Sequence, residues 1–114
     1  MVDAHVSFEI ARLLKEKGFD GKWTDIYVEN PDSTNRAIYP KITHQMAMAW
    51  LREEHNIFIE VRVYQYTFEG KYCYEFDIFH CGSRIIIREE VNRKFYSYEQ
   101  LIETALKYCL TDLI

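Results

Sequence analysis

The chain has 114 residues, of which 48% are apolar and 28% are charged, with only 4 glycines and 2 prolines. This composition excludes a disordered or collagen-like chain, and the length predicts one domain that spans residues 1–114. The net charge of −4 at neutral pH argues against a general affinity for nucleic acid or for an anionic membrane.

The first predicted element is a helix from about Val6 to Lys17. Its apolar residues recur with the helical period, at Val6, Ile10, Leu13 and Leu14. Gly18 follows at the position that favours a left-handed residue, which predicts the end of the helix. Phe19 comes next, where we expect it to pack back on Leu14.

A β-hairpin and a second helix are expected next. Lys22–Glu29 predicts one strand, residues 30–35 have turn-forming side chains, and residues 37–39 predict a short returning strand. Thr43 is a suitable N-cap for a helix from about His44 to His55. Its predicted buried residues are Met46, Ala47, Trp50 and Leu51. We expect the tryptophan and the leucine to lie between this helix and the sheet that follows.

The strongest strand signal is the alternating run Ile57–Phe68, and Lys71–Cys81 predicts the strand that returns beside it. Between them Glu69–Gly70 predicts a two-residue turn, which sets the register of the hairpin. The expected cross-strand partners are Val61 with Ile78, Val63 with Phe76, and Arg62 with Asp77. Apolar and charged pairs both agree with this register.

A third strand is expected over Arg84–Arg88, which carries three consecutive isoleucines. The last helix is predicted to begin after Ser97, which forms a capping-box pattern with Gln100. Its predicted buried residues are Ile102, Ala105, Leu106, Cys109 and Leu113. The expected fold class is therefore α+β, with a three-stranded antiparallel sheet packed with helices in the order α-(ββ)-α-β-β-β-α.

No motif in the chain predicts catalysis, a cofactor or a metal site, and we expect a protein that is not an enzyme. The sequence has no GxGxxG, GKS/T, HExxH or GxSxG pattern. The residues that could bind a metal lack the close paired spacing of zinc sites, and they are His44, His55, His80, Cys73 and Cys81. His80 and Cys81 are adjacent, so in a strand their side chains point apart, which argues against a Cys–His catalytic pair.

The 3 cysteines indicate a cytoplasmic location, since their number is odd and no CxxC motif occurs. The first residues lack the pattern of a secretory signal. No apolar run approaches the ~20 residues of a membrane-spanning helix. We therefore expect a reduced, cytoplasmic protein without a membrane segment.

One alternative is a nucleic-acid-associated accessory factor with an α-β-β-β-α core. Residues 43–113 follow the element order of double-stranded-RNA-binding domains. Those domains contact phosphates with basic side chains, whereas the last helix here opens with Ser97, Glu99 and Glu103. A basic cluster is present but is interrupted by Glu89 and Glu90, and its members are Arg84, Arg88, Arg93 and Lys94.

A candidate interaction surface is formed by five rings that share one face of the predicted hairpin: Phe58, Tyr64, Tyr66, Phe68 and Phe79. Together they exceed the apolar area that a monomer usually leaves exposed, so we expect them to be jointly shielded from water. Either the first helix or the hairpin that carries Trp23 covers them, or a protein partner does. The simplest partner is a second copy in a homodimer.

Three segments of the chain are similar to a known family: SFEIARLLKEKGFD at 7–20, THQMAMAWLREEHNIFIEV at 43–61 and SYEQLIETALKYCLTDLI at 97–114. They resemble small uncharacterised proteins found in Bacteroides-type genomes and in their phages or mobile elements. The resemblance implies a bacterial cytoplasmic or prophage setting and transfers no catalytic residue. We therefore expect a small non-catalytic interaction protein, with a phage or mobile-element accessory role implied by the resemblance.

Overall fold

The computed structural model describes residues 4–23, 25–65, 72–87, 91 and 94–114, with only the backbone described at 64 and 65. The helices are α1 (Phe8–Glu16), α2 (His44–His55) and α3 (Tyr98–Tyr108), which continues as a π-helical segment over Cys109–Leu113. One antiparallel sheet joins β1 (Ile26–Glu29) to β2 (Ala37–Pro40). The other has the order β3 (Ile57–Gln65), β4 (Tyr72–His80), β5 (Ser83–Arg84). The predicted α+β fold with a three-stranded antiparallel sheet is confirmed.

Helix α1 begins later than the sequence predicts, because Ser7 caps it. The Ser7 hydroxyl accepts a hydrogen bond from the Ile10 N–H at 3.2 Å. Val6 precedes the cap and lies outside the helix, where it is buried and donates its N–H to the Ile42 carbonyl. The buried valine therefore belongs to the core without belonging to the helix.

The end of α1 is a Schellman motif, as Gly18 predicts. Gly18 has a φ of +87° and donates its N–H to the Lys15 carbonyl at 3.1 Å. The Phe19 N–H donates to the Leu14 carbonyl at 2.9 Å. These two bonds satisfy carbonyls that the helix leaves free and turn the chain back over α1.

Replacing Gly18 with alanine is expected to lower the free energy of unfolding by about 1 kcal/mol, because a Cβ disfavours the left-handed conformation. A Cβ at position 18 meets no atom within 4 Å, so the whole cost is backbone strain. Urea denaturation measures it, with Lys17→Ala as the matched control, since Lys17 has a φ of −91°. Equal midpoints for the two variants would contradict the expectation.

Helix α2 has the predicted bounds, and its Thr43 cap accepts a hydrogen bond from the Met46 N–H at 3.2 Å. Burial differs from the prediction at Met46, which is 41% exposed. The buried residues are His44, Ala47, Met48, Trp50 and Leu51. At the helical period they form an arc with Trp50 at its edge, and Met46 lies outside this arc.

The register of β3 against β4 differs by two residues from the prediction. The observed pairs are Val61 with Phe76, Val63 with Tyr74, and Arg62 with Glu75. A shift of two residues keeps every side chain on its predicted face, because the side-chain period of a strand is two. Arg62 faces an acidic residue in either register, and Val61 faces an apolar one, so the sequence pattern does not separate the two. The predicted turn at Glu69–Gly70 lies outside the described residues.

The third strand is shorter than predicted. Strand β5 contains two residues, Ser83 and Arg84, and Ile85 adds one backbone hydrogen bond to β4. Ile86 is almost fully exposed, so the run of isoleucines does not form a buried strand. Arg88, at the predicted end of the strand, lies outside the described residues.

Helices α2 and α3 contact β3 and β4, respectively, and bury one face of the larger sheet. The buried residues on this face are Ile57, Phe76 and Ile78. Helix α3 begins after Ser97 as predicted, and the Ser97 hydroxyl accepts a hydrogen bond from the Gln100 N–H at 3.3 Å. From α3 and its π-helical segment the core receives Leu101, Ile102, Ala105, Leu106, Cys109 and Leu110. Leu113, which the sequence places among them, is half-buried.

Helix α1 packs against β2 and α3. Of the helices in the described ranges, none is long and apolar enough to cross a membrane.

Candidate interaction site

The face of β3 and β4 that points away from α2 and α3, the open face, is exposed along β3 and buried on β4 at Cys73 and Asp77. Its residues are Phe58, Glu60, Arg62, Cys73, Glu75, Asp77 and Phe79. Phe58 lies directly opposite Phe79 in the register, so two of the predicted site residues are neighbours. Phe58 is 44% exposed and Phe79 is half-buried.

The sequence predicts that the five rings are jointly shielded from water. Within a single chain this is wrong for Phe58. Neither α1 nor the β1–β2 hairpin covers this ring, since it remains exposed. The backbone of Tyr64 pairs with Cys73, and the Tyr64 side chain is outside the described part of the structure. Tyr66 and Phe68 also lie outside the described residues. The site that the structure describes is therefore the Phe58–Phe79 end of the predicted surface.

Charged side chains cross the middle of the open face. Arg62 Nη2 lies 3.3 Å from Glu75 Oε2, and Arg62 Nε lies 3.3 Å from Asp77 Oδ2. Arg84 Nη2 donates to Asp77 Oδ1 at 3.0 Å, which connects β5 to the same group. The nearly buried Asp77 carboxylate thus accepts a hydrogen bond from Arg84 and forms an ion pair with Arg62.

Glu60 differs from its charged neighbours, because it makes no ion pair with any residue that the structure describes. It is exposed and lies directly opposite Asp77 in the register, which places two carboxylates side by side. Like charges in a cross-strand pair destabilise a sheet. Among the described residues of the open face, Glu60 is therefore an acidic side chain without an ion pair. It lies beside the acidic side chains Glu75 and Asp77, which form ion pairs with arginines.

Strand β3 is an edge strand, since the sheet order is β3-β4-β5 and none of the residues in the described ranges pairs with its outer side. The Cys81 N–H donates to the Asn56 carbonyl, which shows that even-numbered residues at the start of β3 turn their backbone groups toward β4. The odd-numbered residues therefore point their backbone N–H and C=O groups outward, away from β4. These residues are Ile57, Ile59, Val61, Val63 and Gln65. On β4 the Tyr74 and Ile78 carbonyls accept hydrogen bonds on the side away from β3, which agrees with this alternation.

The outer edge of β3 is long and has exposed apolar side chains. The strand has nine residues, and Val63 is 54% exposed although it lies on the helix-covered side of the sheet. Phe58, on the open face of the same strand, is 44% exposed. Unpaired backbone groups next to exposed apolar side chains are typical of an edge that pairs with another strand.

A second polar group, which the sequence does not reveal, joins three helices around Glu103. Glu103 Oε2 accepts hydrogen bonds from His44 Nε2 at 2.8 Å and from the Ser7 N–H at 3.2 Å. Burial by itself raises the pKa of the Glu103 carboxyl, but the hydrogen bonds from His44 and Ser7 outweigh it and hold this pKa below its ordinary value. Burial raises the pKa of the nearby Tyr27 hydroxyl, and the charge of Glu103 raises it further.

Glu103, His44 and Ser7 form a hydrogen-bonded group that holds α3 to the starts of α2 and α1. The Ser7 hydroxyl accepts the hydrogen bond that caps α1, and the Tyr27 hydroxyl donates to the Val6 carbonyl. His44 and Glu103 are separated by 59 residues in sequence, so no local pattern signals their contact. The side chains of this group all have partners within the fold.

The three cysteines are free thiols that differ in exposure. Cys73 and Cys109 are buried, and burial raises the pKa of the Cys109 thiol to about 12, which keeps it protonated and unreactive. Cys81 is exposed at a turn with a φ of 51°. Within the described ranges no three His, Cys, Asp or Glu residues come together in a way that could hold a metal ion.

No protein-family model, curated protein or solved structure matches this chain. Function is therefore inferred from the open face and from the free edge of β3.

Proposed function

We propose that this chain is a small, cytoplasmic, non-catalytic interaction protein that binds a protein partner through the open face and the outer edge of β3. The exposed Phe58, adjacent to unpaired backbone on the same strand, is the observation that carries the proposal. A phage or mobile-element accessory role is part of it and rests on the resemblance of three sequence segments.

The charges of the open face favour a protein partner over a nucleic acid. The guanidinium groups of Arg62 and Arg84 bind carboxylates of the same chain, so phosphates would have to compete with Asp77 and Glu75 for them. Protein interfaces commonly combine aromatic side chains with paired arginines. The nucleic-acid alternative receives no support from these contacts.

Photo-crosslinking at position 58 tests the proposal. A photoreactive phenylalanine analogue at Phe58 is expected to give one discrete adduct in cells that produce the protein, because a partner covers this ring. The matched control is the same analogue at Ile38 on β2, which is 38% exposed on a different sheet. Adducts at both positions, or at neither, would contradict a partner on the open face.

A gel shift with duplex RNA and duplex DNA at low salt tests the alternative directly. We expect no shifted band, since basic groups that are already paired offer few phosphate contacts. A salt-sensitive shift that is lost in an Arg84→Ala variant would replace the proposed function with a nucleic-acid-associated one.

A further inference from the structure

We infer that the partner is a second copy of this chain, paired antiparallel along the outer edge of β3 with Val61 on the two-fold axis. This inference rests on the proposed function and names its partner. Two such chains would form one continuous sheet in the order β5-β4-β3-β3-β4-β5.

The backbone restricts how two copies of β3 can pair. The N–H and C=O groups of Ile57, Ile59, Val61, Val63 and Gln65 point outward. An antiparallel pair forms hydrogen bonds only when outward-pointing residues lie opposite one another. In a two-fold dimer this requires the axis to pass through a residue position, because an axis between residues would place outward groups opposite inward ones. Pairing centred on Glu60, Val61 or Arg62 therefore remains possible near the middle of the strand.

The charges on β3 distinguish these three registers. An axis at Glu60 would place two glutamates opposite each other, and an axis at Arg62 would place two arginines opposite each other. An axis at Val61 instead places Glu60 of each copy opposite Arg62 of the other. Opposite charges in direct cross-strand positions stabilise a pair, whereas like charges destabilise it. This register also gives Glu60 an opposite charge that no residue in the described part of its own chain supplies.

Strand length and exposed apolar side chains favour the same register. Val61 is the middle residue of β3, so the nine residues of each copy pair without overhang. Val63, which is 54% exposed, then lies opposite Ile59 of the second copy. The exposed Val63 of each copy therefore gains an apolar neighbour.

Cysteine crosslinking in the full-length protein tests the register. Cys81 is first replaced by serine, since it is the exposed native thiol and Cys73 and Cys109 are buried. In this background Val61→Cys is expected to form a disulfide-linked dimer on oxidation, because hydrogen-bonded antiparallel residues have Cα atoms about 5.5 Å apart, within disulfide range.

Neighbouring positions provide matched controls. Ile59→Cys alone, or Val63→Cys alone, is expected to stay monomeric on a non-reducing gel, because each thiol is offset from its copy by roughly 13 Å along the strand. A mixture of the two variants is expected to crosslink. A dimer that crosslinks through Ile59→Cys or Val63→Cys alone, and not through Val61→Cys, would overturn the register.

Glu60→Arg tests the charge pairing without harming the fold. Within the chain it removes the like-charge pair with Asp77, so thermal stability at high dilution is expected to be unchanged or higher. Between chains it places the new arginine opposite Arg62 twice, and the dimer dissociation constant is expected to rise at least about tenfold. Sedimentation equilibrium over a concentration series measures the constant.

The outcomes separate this inference from the proposed function. Wild-type protein that sediments as a monomer at every concentration, with no Val61→Cys crosslink, would refute the homodimer. If position 58 still crosslinks to a different protein, the interaction function stands and the partner is not a second copy. If neither experiment yields a contact, both the inference and the proposed function fail.

Discussion

Replacing Trp50 with alanine is expected to lower the free energy of unfolding by about 3–5 kcal/mol. Trp50 is 7% exposed, and its ring packs edge-to-face against Phe19 at 5.6 Å and His55 at 4.7 Å between centroids. Removing the ring leaves a cavity between α2 and the segment after α1, and the helix backbone cannot close it. Urea denaturation followed by far-ultraviolet circular dichroism measures the loss.

Trp50→Phe is the matched control for this prediction. The Trp50 indole N–H is buried and has no hydrogen-bond partner among the residues that the structure describes, which is unfavourable in the folded state. Phenylalanine keeps an aromatic ring and removes the unpaired donor, so its loss of stability is expected to be well below that of alanine. A Trp50→Ala variant with the wild-type midpoint would show that the buried side of α2 is assigned incorrectly.

Replacing Glu103 with alanine is expected to lower the free energy of unfolding by about 1–3 kcal/mol at neutral pH. The buried His44 would lose its hydrogen-bond partner, and the Ser7 N–H would lose the Glu103 carboxylate as its acceptor. Because Glu103 joins α3 to the starts of α2 and α1, the loss affects the packing of three helices. Equilibrium denaturation at neutral pH measures the difference.

Glu103 is also expected to make the fold sensitive to acid. Its hydrogen bonds hold the folded-state pKa of the Glu103 carboxyl below its ordinary value, so its ionised form is favoured by folding. This contribution is complete above the unfolded-state pKa and is lost as the pH falls through the lower folded-state pKa. The stability difference between wild type and Glu103→Gln is therefore expected to shrink on acidification. A difference that stays constant from neutral pH to strong acid would contradict this role.

Local signals were sufficient for the helices and for the faces of the strands. Thr43, Ser97 and Gly18 each determine a helix end, because a cap depends on a hydrogen bond to a residue three or four positions away. The alternation in β3 and β4 places Phe58 and Phe79 on one face, since successive side chains in a strand point to opposite sides. The α+β class and the placement of Phe58 and Phe79, two of the five candidate site residues, on one face follow from these short-range rules.

The tertiary structure decided what depends on distant residues. The two-residue shift between β3 and β4 preserves every face, so only the paired backbone shows that Phe58 lies opposite Phe79. The hydrogen bond between Glu103 and His44 joins two helices, and no local sequence pattern indicates it because the residues are 59 positions apart.

The free edge of β3 is likewise a property of the whole sheet. The residues of a strand do not determine which strand lies beside it. Here β4 lies on one side of β3, and the short β5 lies on the far side of β4. The sequence of β3 by itself determined the alternating charges of Glu60 and Arg62 around Val61. The order of strands decided that these residues lie on an edge with which no described strand pairs, because hydrogen bonding between strands is set by the fold and not by the local chain.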